Sequence, residues 1–488
     1  MTDYGLHWFR RDLRIAGNPG LQYQFQTHKK NVVGVFCFDK DFLGRSDFSY
    51  NRFQLFLESI KSLKKELQSY GSDLIVLDIG PEIAFKELFA NVQDLPKTIT
   101  FGRDYEPFAL KRDKEMTQYF ENLDIDVKSF RDHLLIEPHE LEKKVGEGYQ
   151  VYSPFARKWL EIFQSEVIEA RVKAQENGLN YLENKLQNKK IEPVFDFSWD
   201  RLFKNQPLKD YLDQYIEENA KKCTINIPET GSLAAYKLLK KFLDKADKYN
   251  DSRDFPAING TSRLAMYLKN GSITISQIIA YLNLSAYKKK ENGKDVFLSE
   301  LIWREFYYHI LFRNPRVENE AFLTQYNAIK WDNNKKYFQA WKDGMTGFPI
   351  VDAGMRELKM TGHMHNRVRM IVASFLTKDL LINWQWGEKY FMETLLDGDL
   401  AANNGGWQWA ASTGCDPQPY FRIFNPWLQS KKFDPDGVYI KEFLPELKEL
   451  DPKKLHSPII DHKNYPSPIV EHKEQREKAL EMYKAVRN

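Results

Sequence analysis

Apolar and polar positions follow two different rhythms in this chain. Over the first 135 or so residues, GLHWF, NVVGVFCF, DLIVLDI, TITFG and DVKSF are short apolar runs of buried-strand length. Between them, NRFQLFLESIKSLKKELQSYG and PFALKRDKEMTQYFENL repeat apolar residues at helical spacing, and Gly71 ends the first of these helices. Strand–helix alternation predicts a parallel, Rossmann-like sheet with helices on both faces. No GxGxxG follows the first strand, so this is not an ordinary dinucleotide-binding half.

The rhythm changes twice more. From about 136 to 230, Lys, Glu and Asn become dense, strand signals vanish, and PVFDFSWD and NIPETG read as loops. From Ser232 onward the spacing is almost wholly helical. GSLAAYKLLKKFL opens on a Gly-Ser cap, LSELIWREFYYHILF stops at Asn314-Pro315, VDAGMRELKM ends at Thr361-Gly362, and HMHNRVRMIVASFLTKDLLINW follows as a further helix. The expected organisation is an α/β domain over 1–135, a connector over 136–230 that packs over the surface, and an all-α domain over 231–488. There is no internal repeat.

Composition narrows the class. With 42% hydrophobic and 28% charged residues, the 488-residue chain can build large cores and is not disordered, collagenous or a coiled coil. Cys37, Cys223 and Cys415 lie far apart with no CxxC, which excludes a disulfide framework and a cysteine zinc cluster and suits a reducing, cytoplasmic setting. MTDYGLHWFRRDLR has no apolar signal region, and no apolar run approaches the roughly 18 residues of a membrane span. Lys+Arg is 71 against 68 Asp+Glu, so any basic surface must be local. Residues 300–430 are themselves balanced, so a positive groove there must come from how charges are arranged. Eight of the 11 tryptophans follow residue 300. Something in the last third calls for large flat side chains.

Three stretches carry candidate chemistry. In LSELIWREFYYHILF, Glu300, Trp303, Arg304 and Tyr307 share one helix face while Leu301, Ile302, Phe306 and Ile310 serve the core. The stripe suits a flat polar ligand, although a plain Arg–Glu pair beside a packed Trp fits the spacing too. In DFPAINGTSRLAMYLKNG, Thr261 or Ser262 can cap a helix running to Asn270-Gly271, and with Arg263 it would suit a phosphate; an ordinary capped helix is the commoner arrangement. In DGDLAANNGGWQWAASTG, Gly405 and Gly406 interrupt a helix at roughly 1 kcal/mol each, the mark of a close backbone approach to a ligand or to a crossing helix. Asn403 and Trp407 face the same way there, and Asp397 and Asp399 precede the helix start. His363 and His365 do not share a face, and no HExxH or nearby cysteine is present, so no metal site is expected. Asn366 and Arg367 fit phosphate or base contacts. The residues alone lead to a helical domain with an aromatic, phosphate-friendly pocket and leave the reaction open.

In order along the chain, HWFRRDLR, RDFPAINGTSRL, ELIWREFYYHI, MHNRVRMIVASFLTKDLLI and DGDLAANNGGWQWAASTG resemble the photolyase/cryptochrome family, nearest to its class I cyclobutane pyrimidine dimer photolyases. The resemblance covers nearly the whole chain and is weakest over about 160–225. It implies an N-terminal α/β antenna domain and a helical domain holding FAD, with the reduced anion as working state. Under blue or near-UV light the flavin would donate an electron to a flipped-out dimer in UV-damaged DNA, split it to two pyrimidines and recover the electron. A monomer is expected.

Residue by residue, the resemblance implies that Tyr249, Thr261, Ser262, Arg263, Leu264, Arg369, Asp397 and Asp399 bind FAD and that Asn403 lies beside flavin N5. Trp331, Trp384 and Trp407 match the tryptophan relay for photoreduction, while Trp341 and Trp386 are left as packing. Glu300 and Trp303 match the residues that hydrogen-bond and stack on the dimer, with Tyr307 beside them, Trp409 as second aromatic wall and Met370 beneath. Arg253, Asn366, Arg367 and Gln429 match DNA contacts. YEPFALKRD lacks the Asn-Glu pair by which some bacterial members hold a folate, which argues against folate and leaves a deazaflavin, a second flavin such as FMN, or no antenna. His363 stands where relatives usually carry an aromatic. The alternatives are a signalling cryptochrome, a (6-4) photolyase, which has adjacent histidines where this chain has His365-Asn366, and a light-independent nucleotide-binding protein.

Overall fold

The computed structural model describes residues 2–78, 80–189, 197–460 and 462–486. Five strands, β1 (Gly5–Trp8), β2 (Val32–Cys37), β3 (Leu74–Leu77), β4 (Thr98–Gly102) and β5 (Asp126–Phe130), form one sheet in the order β3-β2-β1-β4-β5. Every neighbouring pair is parallel, so each connection crosses over through a helix. The chain steps outward from β1 to β3, then returns to β4, which puts a topological switch point at the carboxyl ends of β1 and β4.

Trp8 and Phe9 are adjacent and point to opposite faces. Trp8 joins Phe85, Phe101 and Phe120 in one core layer, and Phe9 joins Phe53, Leu57 and Ile60 in the other. The fifth predicted strand differs from expectation in its burial. Asp126 and Lys128-Ser129 lie outside the core, whereas β3, the other edge strand, is buried throughout.

The segment over 136–230 does more than cover a surface. Tyr152, Phe155 and Trp159 of the helix Tyr152–Phe163 enter the core of the helical region, where Trp159 Nε1 donates to Glu305 Oε2 at 2.6 Å. Trp199 enters the α/β core and donates to Gly34 O at 2.8 Å. A hydrophilic segment is tied to both cores by a few large aromatics, which average composition conceals. NIPETG is a loop as expected, and Trp199–Arg201 forms a single 3-10 turn. The earlier part of PVFDFSWD, up to residue 196, lies outside the described residues.

Among the described residues, the helical region has two large cores. One surrounds the helix Gly293–Arg313, and the other lies among Pro349–Thr361, Asn366–Ser374, Trp384–Thr394 and Leu400–Ala410. Asn314 and Gly362 end their helices as read, Gly362 in the left-handed conformation at φ 66°. Three local expectations fail. The helix Gly231–Ala246 has no side-chain cap, and Ser232 is buried with its hydroxyl 3.4 Å from Glu66 Oε2. The segment after Thr361 does not form one long helix: Asn366–Ser374 gives way to a wider π turn over Phe375–Asp379. Neither Thr261 nor Ser262 caps a helix. Arg263 is left-handed at φ 54°, which breaks the turn, and only Ala265–Asn270 is helical.

Candidate functional site

The helix Leu400–Ala410 begins at Asp399, whose Oδ1 accepts from Ala402 N at 3.3 Å. Asp399 Oδ2 accepts from Arg11 Nη2 at 2.8 Å and from the Tyr308 hydroxyl, with Lys269 Nζ 3.6 Å away. Burial by itself would raise the Asp399 pKa, but Lys269, Arg11 and Arg304 outweigh it and hold the carboxyl well below its usual range. Two residues earlier, Asp397 accepts from Arg369 Nη2 at 2.9 and 3.1 Å, and Arg369 Nε also donates to Met364 O. A fixed carboxylate and an Arg–Asp pair therefore stand together before the helix start.

Asn403 Nδ2 donates to Glu388 O at 2.9 Å, which fixes the plane of the amide and leaves its oxygen as an acceptor. Trp407, one turn on, packs against Gly387 of the helix Trp384–Thr394, where a Cβ would meet the indole at 2.1 Å. Asn403 and Trp407 thus face the same neighbour, as their spacing requires. The two glycines between them differ. A Cβ on Gly405 would lie 2.1 Å from Tyr307 Cδ1, so Gly405 permits the close crossing of Leu400–Ala410 over Gly293–Arg313, whereas a Cβ on Gly406 would meet nothing within 4 Å. Trp384 and Trp407 are buried in one aromatic core; Trp331 and Trp409 pack at its edge, half-buried. Trp341, read as packing, is fully buried beside Trp407.

On Gly293–Arg313, Leu301, Ile302, Phe306 and Ile310 are buried as expected. Glu300 does not pair with Arg304: its Oε1 accepts from Arg253 Nη1, while Arg304 reaches back to His133, donating to its carbonyl at 3.1 Å. Four residues on one side of a helix are shared between two neighbours, because Arg304 is long enough to reach the loop after β5. Arg253 Nε is also 3.8 Å from Asp254, which accepts from Arg367 Nη2 at 2.7 Å. Glu300, Arg253, Asp254 and Arg367 form a chain of alternating charge. Trp303 is half-buried and stacks on Tyr152 with ring centroids 3.6 Å apart. Tyr307, half-buried, lies between Trp303 and Gly405.

The remaining candidates are more dispersed. Tyr249 is buried against Phe242 and Phe297, with Arg253 over its ring at 5.4 Å. Leu264 is buried, Thr261 and Ser262 are half-buried, and Arg263 is exposed. Asn366 is exposed beside Met370, their Nδ2 and Sδ 3.9 Å apart, and Gln429 is half-buried on the helix Pro426–Phe433. His363 fills its place by pairing with Glu357 at 3.1 Å.

Sequence reasoning assigned no role to Arg11, Lys269, Tyr308, Asp254, Glu388 or Tyr152. Arg11 stands inside HWFRRDLR, but its partners lie 93 to 388 residues away and no local spacing announces them. Burial pushes Glu388 up to about 7, although Asn404 Nδ2 donates to its carboxylate at 3.0 Å.

A parallel α/β unit joined by Arg11 to a helical unit, with fixed acids and crowded indoles on two closely crossing helices, defines a two-part protein built to hold a flat, charged cofactor. The chain belongs to the photolyase/cryptochrome family: residues 5–175 match the family model for DNA photolyase and residues 297–485 that for the FAD binding domain of DNA photolyase. It is 36% identical to a deoxyribodipyrimidine photo-lyase of Vibrio cholerae, over 99% of each chain. Its fold matches a bacterial class III photolyase of Agrobacterium tumefaciens with TM-score 0.82 and 33% identity, covering 100% of this chain and 98% of that one. It also matches an archaeal photolyase of Sulfolobus tokodaii, solved with two FAD molecules, with TM-score 0.79, 32% identity and 99% of both chains covered.

The residues present fit FAD. Gly406 is exposed, and a Cβ there would meet nothing within 4 Å, which leaves open space along the helix one turn from Asn403. Burial pushes His365 down to about 4, so its ring is neutral; Nδ1 accepts from Arg367 N at 3.2 Å, which places the ring proton on Nε2. That Nε2 and Trp407 Nε1 are buried donors without a partner among the described residues. Among the described residues, no helix is long and apolar enough to cross a membrane.

Proposed function

We propose that this protein binds FAD and, under blue or near-UV light, splits cyclobutane pyrimidine dimers in UV-damaged DNA. It acts as a cytoplasmic monomer, with an α/β antenna domain over 1–135, a connector over 136–230 and a catalytic helical domain over 231–488. The observation that carries the reading is the crossing at Gly405 and Tyr307. It sets the Asn403 helix against the helix bearing Glu300 and Trp303, so a cofactor wall and a base-sized aromatic wall adjoin.

When bound, FAD supplies the light-driven electron. The chain's own residues supply the rest. Arg369, Asp397 and Asp399, with Tyr249 and the 261–264 turn, hold and orient the cofactor. The Asn403 oxygen, left free by the bond from Nδ2 to Glu388 O, would accept from a donor of the flavin. Glu300 accepts from the donor edge of a flipped pyrimidine, Trp303 and Trp409 flank it, and Met370 lies beneath. A dimer stacks poorly in duplex DNA, so extruding it costs less than extruding intact bases. Arg253, Arg367, Asn366 and Gln429 contact the DNA strand, so affinity falls with salt. Trp407 and Trp384 are buried in the core and Trp331 lies at its edge, a path by which electrons would pass inward to a bound flavin.

The test mixes reduced protein with two oligonucleotides, one bearing a cyclobutane thymine dimer and one a (6-4) product, under blue light. Restoration of the first alone is expected, with at least ~10-fold lower repair by Asn403→Ala and Trp303→Ala. Restoration of the second alone makes the protein a (6-4) photolyase. Repair of neither, with FAD bound and photoreducible, makes it a signalling photoreceptor.

A further inference from the structure

We infer that Tyr152, on the connector, is a positioning residue that sets the plane of Trp303 and thereby the preference for an extruded base. The inference rests on the reading of Trp303 as the wall on which that base stacks.

The Tyr152 and Trp303 rings lie 3.6 Å apart and 4° from parallel, so the phenol ring stacks on one face of the indole. Phe306 sets its edge against both rings, at 5.8 and 5.6 Å, and closes the side of the pair. Tyr152 is itself held at three points. Its hydroxyl bonds Ser299 Oγ at 2.8 Å and donates to Ser299 O at 3.0 Å, one turn before Trp303 on the same helix. Ser299 Oγ also accepts from Lys290 Nζ at 2.6 Å. The Tyr152 backbone N donates to Asp416 Oδ2 at 3.0 Å, and Cys415 Sγ donates to Gln150 O at 2.6 Å. Tyr152 is buried, whereas Trp303 is half-buried, so of the two rings it is the indole that keeps surface within reach of a ligand.

The consequence concerns the entropy of binding. An indole free to turn about χ1 and χ2 must be immobilised when a base stacks on it, and that ordering weakens binding. A ring stacked behind it makes the immobilisation part of folding. Undamaged duplex offers no extruded base, so its binding does not draw on this wall. The effect is therefore a change in discrimination and not in general DNA affinity.

The full FAD-loaded protein is compared as wild type, Tyr152→Leu, Tyr152→Phe and Trp303→Ala. Kd is measured for a thymine-dimer oligonucleotide and for the same undamaged sequence, alongside FAD content. Tyr152→Leu is expected to lose about 3- to 10-fold in dimer affinity, with undamaged affinity and FAD content unchanged. Tyr152→Phe keeps the stacked ring and is expected to lose at most about 2-fold. Should Tyr152→Leu fail to hold FAD, Tyr152→Met takes its place with the same expectation. Equal losses on both DNAs, or no loss on the dimer while Trp303→Ala loses it, would overturn the role of Tyr152 alone. Unchanged discrimination in Trp303→Ala would instead overturn the reading of Trp303, and this inference with it.

Discussion

Arg11 Nη2 lies 2.8 Å from Asp399 Oδ2, joining the loop after β1 to the start of the helix Leu400–Ala410 across 388 residues of sequence. The same guanidinium donates to the Tyr308 hydroxyl at 2.5 Å and to Glu106 Oε1 at 2.5 Å. Arg11 thus ties the α/β unit to Asp399, one of the acids proposed to hold the cofactor. Replacing it by Met leaves buried carboxylates without their cation, which costs about 3–5 kcal/mol. Denaturant unfolding is expected to show that loss, and FAD should wash out of the variant on gel filtration.

Asp399 also sets an acid limit. Its folded pKa lies below the unfolded value of about 3.9, so its contribution is complete above that pH and disappears as pH falls through the folded value. Asp399→Asn should remove this dependence. Stability measured from pH 6 down to pH 2 is expected to fall more steeply in wild type than in the variant, by on the order of 2–3 kcal/mol in total.

Glu388 has the opposite sign. Burial pushes its pKa up to about 7, above the unfolded value of about 4.3, so its contribution is complete below pH 4 and is lost as pH rises through 7. Glu388→Gln keeps an acceptor for Asn404 and removes the buried charge. The two proteins should be closest in stability below about pH 4, and the variant should gain about 3–4 kcal/mol relative to wild type by pH 8.

The paired glycines separate packing from ligand space. Gly405→Ala drives a methyl into Tyr307 and is expected to cost about 1–3 kcal/mol in stability. Gly406→Ala meets no protein atom and should hold or raise the stability of the FAD-free protein by up to about 1 kcal/mol. It should nonetheless lower FAD occupancy, read from the ratio of flavin to protein absorbance. Undiminished occupancy would place the cofactor elsewhere.

Trp407→Phe keeps an aromatic ring in the core beside Phe391 and Trp341 but removes an easily oxidised indole. Photoreduction of bound FAD should slow at least ~10-fold, while chemically reduced variant repairs dimers at the wild-type rate. Photoreduction at the wild-type rate would remove Trp407 from the relay.

Much of the local structure is legible in the sequence. Five apolar runs became five strands in a parallel sheet, because strand length and crossover helices are written in local periodicity. Asp399 as helix start and Gly362 as helix end were equally visible, since capping is a contact between near neighbours. The misreadings also had local causes. Thr261 and Ser262 look like caps, but Arg263 turns left-handed and breaks the helix they would have capped. The polar composition over 136–230 hid Trp159 and Trp199, single residues that anchor a hydrophilic segment in two cores.

By itself, the sequence determined the α/β and helical character of the two parts, the order of their elements and the motif strings that mark the family. Each depends on spacing along a few turns or one strand. Only the tertiary structure decided that Glu300 pairs with Arg253 and not Arg304, that Gly405 admits Tyr307 while Gly406 stays open, and that Tyr152 backs Trp303. Those contacts join residues tens to hundreds of positions apart, and their partners are chosen by how helices cross and how far a side chain reaches. No periodicity encodes a crossing, so the walls of the site became visible only once the helices were packed.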